Sequence, residues 1–152
     1  MSKSVATAHD AACIFCKIIK GEIPSFKVYE TAHSYAFLDI EPIAKGHTLV
    51  IPKYHGTRLH NLPDEYLADI LPAAKKVVEV LGLTDDGASI EDGSQYNILQ
   101  NNGSSAHQVV PHVHFHVIPK PSAEKGLIIK WPSEKTDFPA LTAFHKELTE
   151  KK

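Results

Sequence analysis

The chain has 152 residues, 43% of them hydrophobic and 22% charged, with a net charge of -2 and ten histidines beside two cysteines. That length suits one domain with a sizeable core; the near-neutral charge excludes a nonspecific nucleic-acid binder, and no apolar run reaches membrane-spanning length. The first dozen residues lack the apolar stretch of a secretory signal, so the expected setting is a reducing compartment, in which Cys13 and Cys16 are thiols or metal ligands rather than a disulfide.

Residues 1–10 read as a flexible tail and 11–152 as one domain. A short helix is expected over Ala11–Lys20, closed by Gly21 as a left-handed cap and by Pro24. Phe26–Glu30 and Ser34–Ile40 are aromatic and aliphatic runs of strand type; 42–46 is a turn, and Gly46–Lys53 is another strand. A long amphipathic helix follows over Pro63–Leu81, with Leu67, Ile70, Leu71, Ala74, Val78 and Leu81 on one face. Pro72 should kink it. The acidic, glycine-bearing stretch 84–94 reads as an exposed loop. Gln95–Asn102 is a strand, 103–108 a polar loop, 111–119 a further strand and Thr136–Lys151 a terminal helix. Strands with short connections around one long helix indicate an α+β fold on a mostly antiparallel sheet.

The chemistry concentrates in Pro-His-Val-His-Phe-His-Val-Ile-Pro at 111–119. Side chains alternate across an extended strand, so His112, His114 and His116 share one face and Val113, Phe115 and Val117 the other. A core needs no such row, and imidazole works as base, nucleophile or metal ligand near neutral pH. His112 and His116 are about 13 Å apart on a strand, so the three cannot converge on one ion bound at about 2.0–2.1 Å. A pair can do so with ligands from elsewhere, and Cys13, Cys16 and His55 are the candidates. Cys-x-x-Cys alone also fits a pair of buried thiols. At least one imidazole is left for other work: His114 as a nucleophile toward phosphorus, His116 as a donor, and His47 as a third member of a relay.

His-Val-His-Phe-His-Val resembles the signature of the histidine triad (HIT) family. The resemblance extends to Cys-Ile-Phe-Cys-Lys-Ile-Ile-Lys-Gly-Glu-Ile-Pro-Ser (13–25), Ala-Phe-Leu-Asp-Ile (36–40), Gly-His-Thr-Leu-Val-Ile-Pro-Lys-Tyr-His (46–55) and Asn-Asn-Gly (101–103), in the family's order. It is similar to the branch of nucleotide-binding proteins that act as adenosine 5'-monophosphoramidases. The resemblance implies a five-stranded antiparallel sheet with two main helices, paired in a homodimer into ten strands. It implies hydrolysis of P–N bonds in AMP-lysine or AMP-amine, or the GMP equivalents, through a covalent AMP–His114 intermediate. His116 would contact phosphate and leaving group, and His47 would support His114. Asp39 would hold the ribose, Phe15, Ile18 and Ile40 the base, and Asn101 and Gln108 the nucleotide near its phosphate.

Zinc-bearing relatives carry the four residues matching Cys13, Cys16, His55 and His112, which implies a structural zinc here and none needed for catalysis. Trp131 matches a residue that reaches the partner's site. Val109 departs from a serine of many relatives that binds phosphate or leaving group; His107 or a backbone N–H would have to replace it. The resemblance implies a cytoplasmic protein, with the nucleus as a second compartment. The alternatives are a dinucleoside polyphosphate hydrolase, a nucleotide-binding scaffold with incidental hydrolysis, and a zinc-dependent hydrolase.

Overall fold

A computed structural model of the chain describes residues 9–84 and 95–151. Most of the expected tail and nearly all of the acidic segment 84–94 lie outside the described residues. Among those described, no helix is long and apolar enough to cross a membrane.

Helix α1 is Ile14–Ile19, shorter than the expected Ala11–Lys20 because Cys13 is its N-cap, its Sγ accepting from Cys16 N at 3.5 Å. It ends as expected on Gly21, whose φ of +79° suits a left-handed cap, with Glu22 N donating to Lys17 O at 2.9 Å. Strands β1 (Lys27–Glu30), β2 (Ser34–Leu38) and β3 (Thr48–Pro52) follow, then helix α2 (Asp64–Val80), β4 (Tyr96–Gln100), β5 (Phe115–Pro119) and helix α3 (Phe138–Glu150). The five strands form one antiparallel sheet in the order β1-β2-β3-β5-β4, so the α+β expectation holds.

Both faces of this sheet are covered. Val50, Phe115 and Val117 pack with Val113 against Ile70, Ala73, Ala74 and Val77 of α2. Leu49, Ile51 and Phe37 turn the other way onto Cys13, Phe15, Cys16 and Ile18. His116 pairs with Leu49, which assigns it to the α1 side, opposite Phe115 and Val117. The histidine row and the apolar row therefore part as the alternation requires.

The expected strand 111–119 is shorter in fact. Its first half is irregular, because Pro111 lacks a donor, His112 N turns back to Val110 O at 2.9 Å and Val113 N bonds Gly56 O at 2.8 Å. His112 and His114 thus sit in the lead-in to β5. Strand β2 stops at Leu38, before Asp39 and Ile40. Helix α2 runs unbroken through Pro72, but Leu71 is exposed; it falls at the margin of the buried stripe centred on Ile70, Ala74 and Val77. Helix α3 begins at Phe138 rather than Thr136, capped by Asp137 Oδ1, which accepts from Ala140 N at 3.0 Å. None of its residues is buried among the described residues.

Candidate active site and metal centre

Folding brings the sequence candidates into two adjoining clusters. In the first, Cys13 Sγ lies 3.4 Å from His112 Nδ1, Cys16 Sγ lies 3.4 Å from His55 Nδ1 and 3.6 Å from His112 Nδ1, and the two Nδ1 atoms are 3.2 Å apart. A tetrahedral ion with bonds of about 2.0–2.3 Å spaces its ligands by about 3.3–3.8 Å, so these four donors fit a metal ion. The surroundings agree. His112 Nε2–H donates to Pro52 O at 2.9 Å, which leaves Nδ1 as the free lone pair, and His55 Nε2 lies 3.7 Å from Asp10 Oδ2. Asp10 N donates to Cys16 Sγ at 3.4 Å, which supports a thiolate. Without a cation, burial pushes the Cys16 thiol up to about 11 and His112 down to about 4. Asp10 escaped the sequence reading, which left it in the tail; its side chain in fact also accepts from Ala12 N at 2.9 Å and shapes the turn into α1.

The second cluster is catalytic in form. His114 is buried, with Nδ1 2.7 Å from His112 O; a carbonyl only accepts, so the proton is on Nδ1 and Nε2 carries a free lone pair. Burial holds its pKa below the ordinary histidine value. Next to it stands His116, ring centroids 5.0 Å apart. Its state follows from a chain of bonds beginning at the backbone. Ile43 N–H donates to His47 Nδ1 at 3.3 Å, so a neutral His47 bears its proton on Nε2 and donates to His116 Nδ1 at 2.9 Å. His116 therefore carries its own proton on Nε2. A bare nitrogen on His114 and an N–H on His116 are thus presented side by side.

His47 acts on His116, not directly on His114 as the resemblance implied. Asp39 Oδ2 stands 3.6 Å from His47 Nε2, while Oδ1 accepts from Glu41 N at 2.8 Å in an Asx turn. Burial lowers His116 to about 4, helped by His114 and His47, and lowers His47 despite the opposing pull of Asp39. Asp39, His47 and His116 also form a metal-like group, but a 2.9 Å nitrogen–nitrogen contact is hydrogen-bond distance rather than the spacing of two ligands on one ion.

Phe15 sits edge-on to His112 and His114, at 5.8 and 5.2 Å between centroids, with Ile18 buried near it; Ile40 is 83% exposed at the rim. Gln108 is committed elsewhere: Oε1 accepts from Gly103 N at 2.7 Å, and Nε2 donates to Thr57 O at 2.6 Å and Val110 O at 3.1 Å. It clips two loops together. Asn101 makes one long bond, Nδ2 to His107 O at 3.4 Å. His107 takes φ +70°, a left-handed turn that redirects the chain toward Val109. Val109 and Trp131 are both exposed, each at 81%.

The comparisons agree with this geometry. A family model described as HIT domain matches residues 20–123. The adenosine 5'-monophosphoramidase of Candida albicans is 59% identical over 143 residues, covering 94% of this chain and 93% of that protein. The Saccharomyces cerevisiae protein of the same name is 57% identical, over 93% of this chain and 84% of its own. Among solved structures, a histidine triad nucleotide-binding protein from Candida albicans aligns with a TM-score of 0.86 at 59% identity, covering 92% of this chain and 96% of that one.

Proposed function

The chain belongs to the HIT domain family, and on that premise we propose that it is an adenosine 5'-monophosphoramidase, hydrolysing the P–N bond between AMP and an amine. The carrying observation is His114, its Nδ1 proton locked onto His112 O and its Nε2 lone pair free beside the His116 N–H. Nε2 attacks the phosphorus; the P–N bond breaks, and the amine leaves with a proton. Burial keeps His116 neutral in the empty site, and the negative phosphoryl group of a bound nucleotide opposes that shift, so His116 carries the transferable proton when substrate is present. Water then attacks the phosphorus, His116 accepting its proton, and the P–Nε2 bond breaks to release AMP and neutral His114. Phe15, Ile18 and Ile40 take the base and Asp39 the ribose in this assignment. AMP and GMP share these contacts.

Zinc is the proposed ion for Cys13, Cys16, His55 and His112. Bound there, it supplies folding energy and fixes the β5 lead-in, while the phosphoryl chemistry stays with His114 and His116. A homodimer is part of the proposal: β4 is a sheet edge with Tyr96 and Ile98 exposed, and the apolar residues Leu141, Phe144 and Leu148 of α3 have no cover among the described residues. Continuing the sheet through a second copy would bring Trp131 toward the partner's site. The two free, buried cysteines are consistent with a reducing cytoplasmic or nuclear setting.

The test is a fluorogenic AMP–amine substrate. Wild type cleaves it with transient AMP–protein adduct, and His114→Ala loses turnover by at least 10³-fold while still binding AMP. Undiminished turnover in His114→Ala would remove the nucleophile.

A further inference from the structure

The chain contains a single arginine among its 16 cationic side chains, and the sites above do not use it. Arg58 lines a cleft of about 320 Å³ between the loop after His55 and the loop before His112, with Thr57, Gly103, Ser104, Val109 and Pro111 around it. No acidic residue lines this cleft, and the Arg58 guanidinium has no ion pair among the described residues. Its backbone, by contrast, is pinned. Arg58 N donates to Asn61 Oδ1 at 3.0 Å and Leu59 N to Asn102 Oδ1 at 2.8 Å, while Gln108 ties Thr57 O to Gly103 N. Gly103 has φ +94°, and a Cβ there would lie 3.4 Å from Arg58 Nη2. A guanidinium nitrogen of the exposed Arg58 side chain thus lies close over the bare backbone of Gly103.

The cleft also has a direction relative to the chemistry. Asp39 and His47 gather at His116, the far end of the histidine run, and Phe15 covers its middle. Val109 and Pro111, five and three residues before His114, wall the cleft at the near end. We infer that a phosphorus at His114, its nucleoside toward Phe15 and Asp39, carries its leaving group on the side of this cleft, that Arg58 recognises an anionic group there, and that the preferred substrates are nucleotide amides of amines bearing a carboxylate. A planar guanidinium takes a carboxylate through two parallel N–H donors. This rests on the phosphoramidase reading. Phosphate oxygens of a dinucleoside polyphosphate offer the same chemistry, and the experiment separates the two sources.

Two substrates decide it: AMP joined to Nε of Nα-acetyl-lysine, and the same compound as its neutral carboxamide. Turnover of the carboxamide by wild type tests the parent reading alone. The inference is read from the ratio of kcat/KM values, carboxylate over carboxamide, expected at about tenfold. In Arg58→Gln that ratio falls to about one, and in Arg58→Lys it stays between the two. A wild-type ratio near one, or a ratio unchanged in Arg58→Gln, overturns the inference. A wild-type ratio near one together with loss of diadenosine tetraphosphate cleavage in Arg58→Gln would assign the arginine to phosphate instead.

Discussion

Acidification should weaken the fold through His116, and the size of the effect follows from the site. A histidine in the unfolded chain titrates near 6.5, and in the folded site burial, with His114 and His47 beside it, brings His116 to about 4. Between those values the unfolded chain takes up a proton that the folded chain refuses. Stability is therefore intact above pH 6.5 and is lost as pH falls toward 4. The gap of about 2.5 pH units, at 1.36 kcal/mol each, sets the loss at about 3 kcal/mol. His116→Asn is the comparison: its side-chain oxygen can still accept from His47 Nε2–H, and it does not titrate. Urea unfolding at intervals from pH 7.5 to 4, on metal-loaded protein, gives both stability curves. Acid loss of the metal and the burial of His114 and His47 act on both proteins, so they cancel in the difference. Wild type should fall below His116→Asn by about 3 kcal/mol across this range. Parallel curves would show that His116 titrates normally and that the chain from Ile43 through His47 does not hold it neutral.

Because His114 must be neutral to attack and burial holds its pKa below the ordinary value, kcat/KM should not fall as the pH is lowered from 7.5 to below 6.5; an acid limb centred at or above 6.5 refutes this. Cys16→Ser should reduce bound zinc, measured by atomic absorption, from one per chain to less than a tenth and lower the melting temperature; retention of a full equivalent would reassign the site. Asp69 accepts from Thr31 Oγ1 and Ser34 Oγ, both at 2.6 Å, and Ser34 is 1% exposed. Asp69→Ala strands that buried hydroxyl and should cost about 1–3 kcal/mol in urea unfolding, with a value near zero excluding the coupling of α2 to β2. Phe144→Asp, on the uncovered face of α3, should convert a sedimenting dimer to monomer while leaving the far-UV spectrum unchanged; an unaltered dimer removes α3 from the interface.

Period and spacing made much of this legible. Alternation placed His116 and Phe115 on opposite faces, and Gly21 marked a positive-φ turn that glycine supplies cheaply. What stayed hidden depended on contacts distant in sequence. Irregular backbone at 111–114 reflects the hydrogen bond from Val113 to Gly56, which no local propensity encodes. The metal ligands were visible as residue types, but Asp10 and Pro52 O, which orient them, act through a backbone donor, a side chain and a carbonyl that carry no motif. The tautomer of His116 is set by Ile43 N–H, again a backbone group. Gln108 stood out only through the resemblance, and no local pattern showed that both ends of its amide join two loops.

His112 explains why the two clusters share one strand. Its imidazole is fixed on one side by Pro52 O and on the other by Cys13, Cys16 and His55, so its backbone has little freedom. Its carbonyl is the group that accepts the His114 Nδ1 proton and thereby frees Nε2. Were His112 loose, the His114 ring could turn and offer N–H where the lone pair must be, and a neutral imidazole in the wrong tautomer cannot attack. A metal at the first cluster would therefore serve the second without touching substrate. It would hold a carbonyl in place, and that carbonyl keeps the proposed nucleophile in its reactive form.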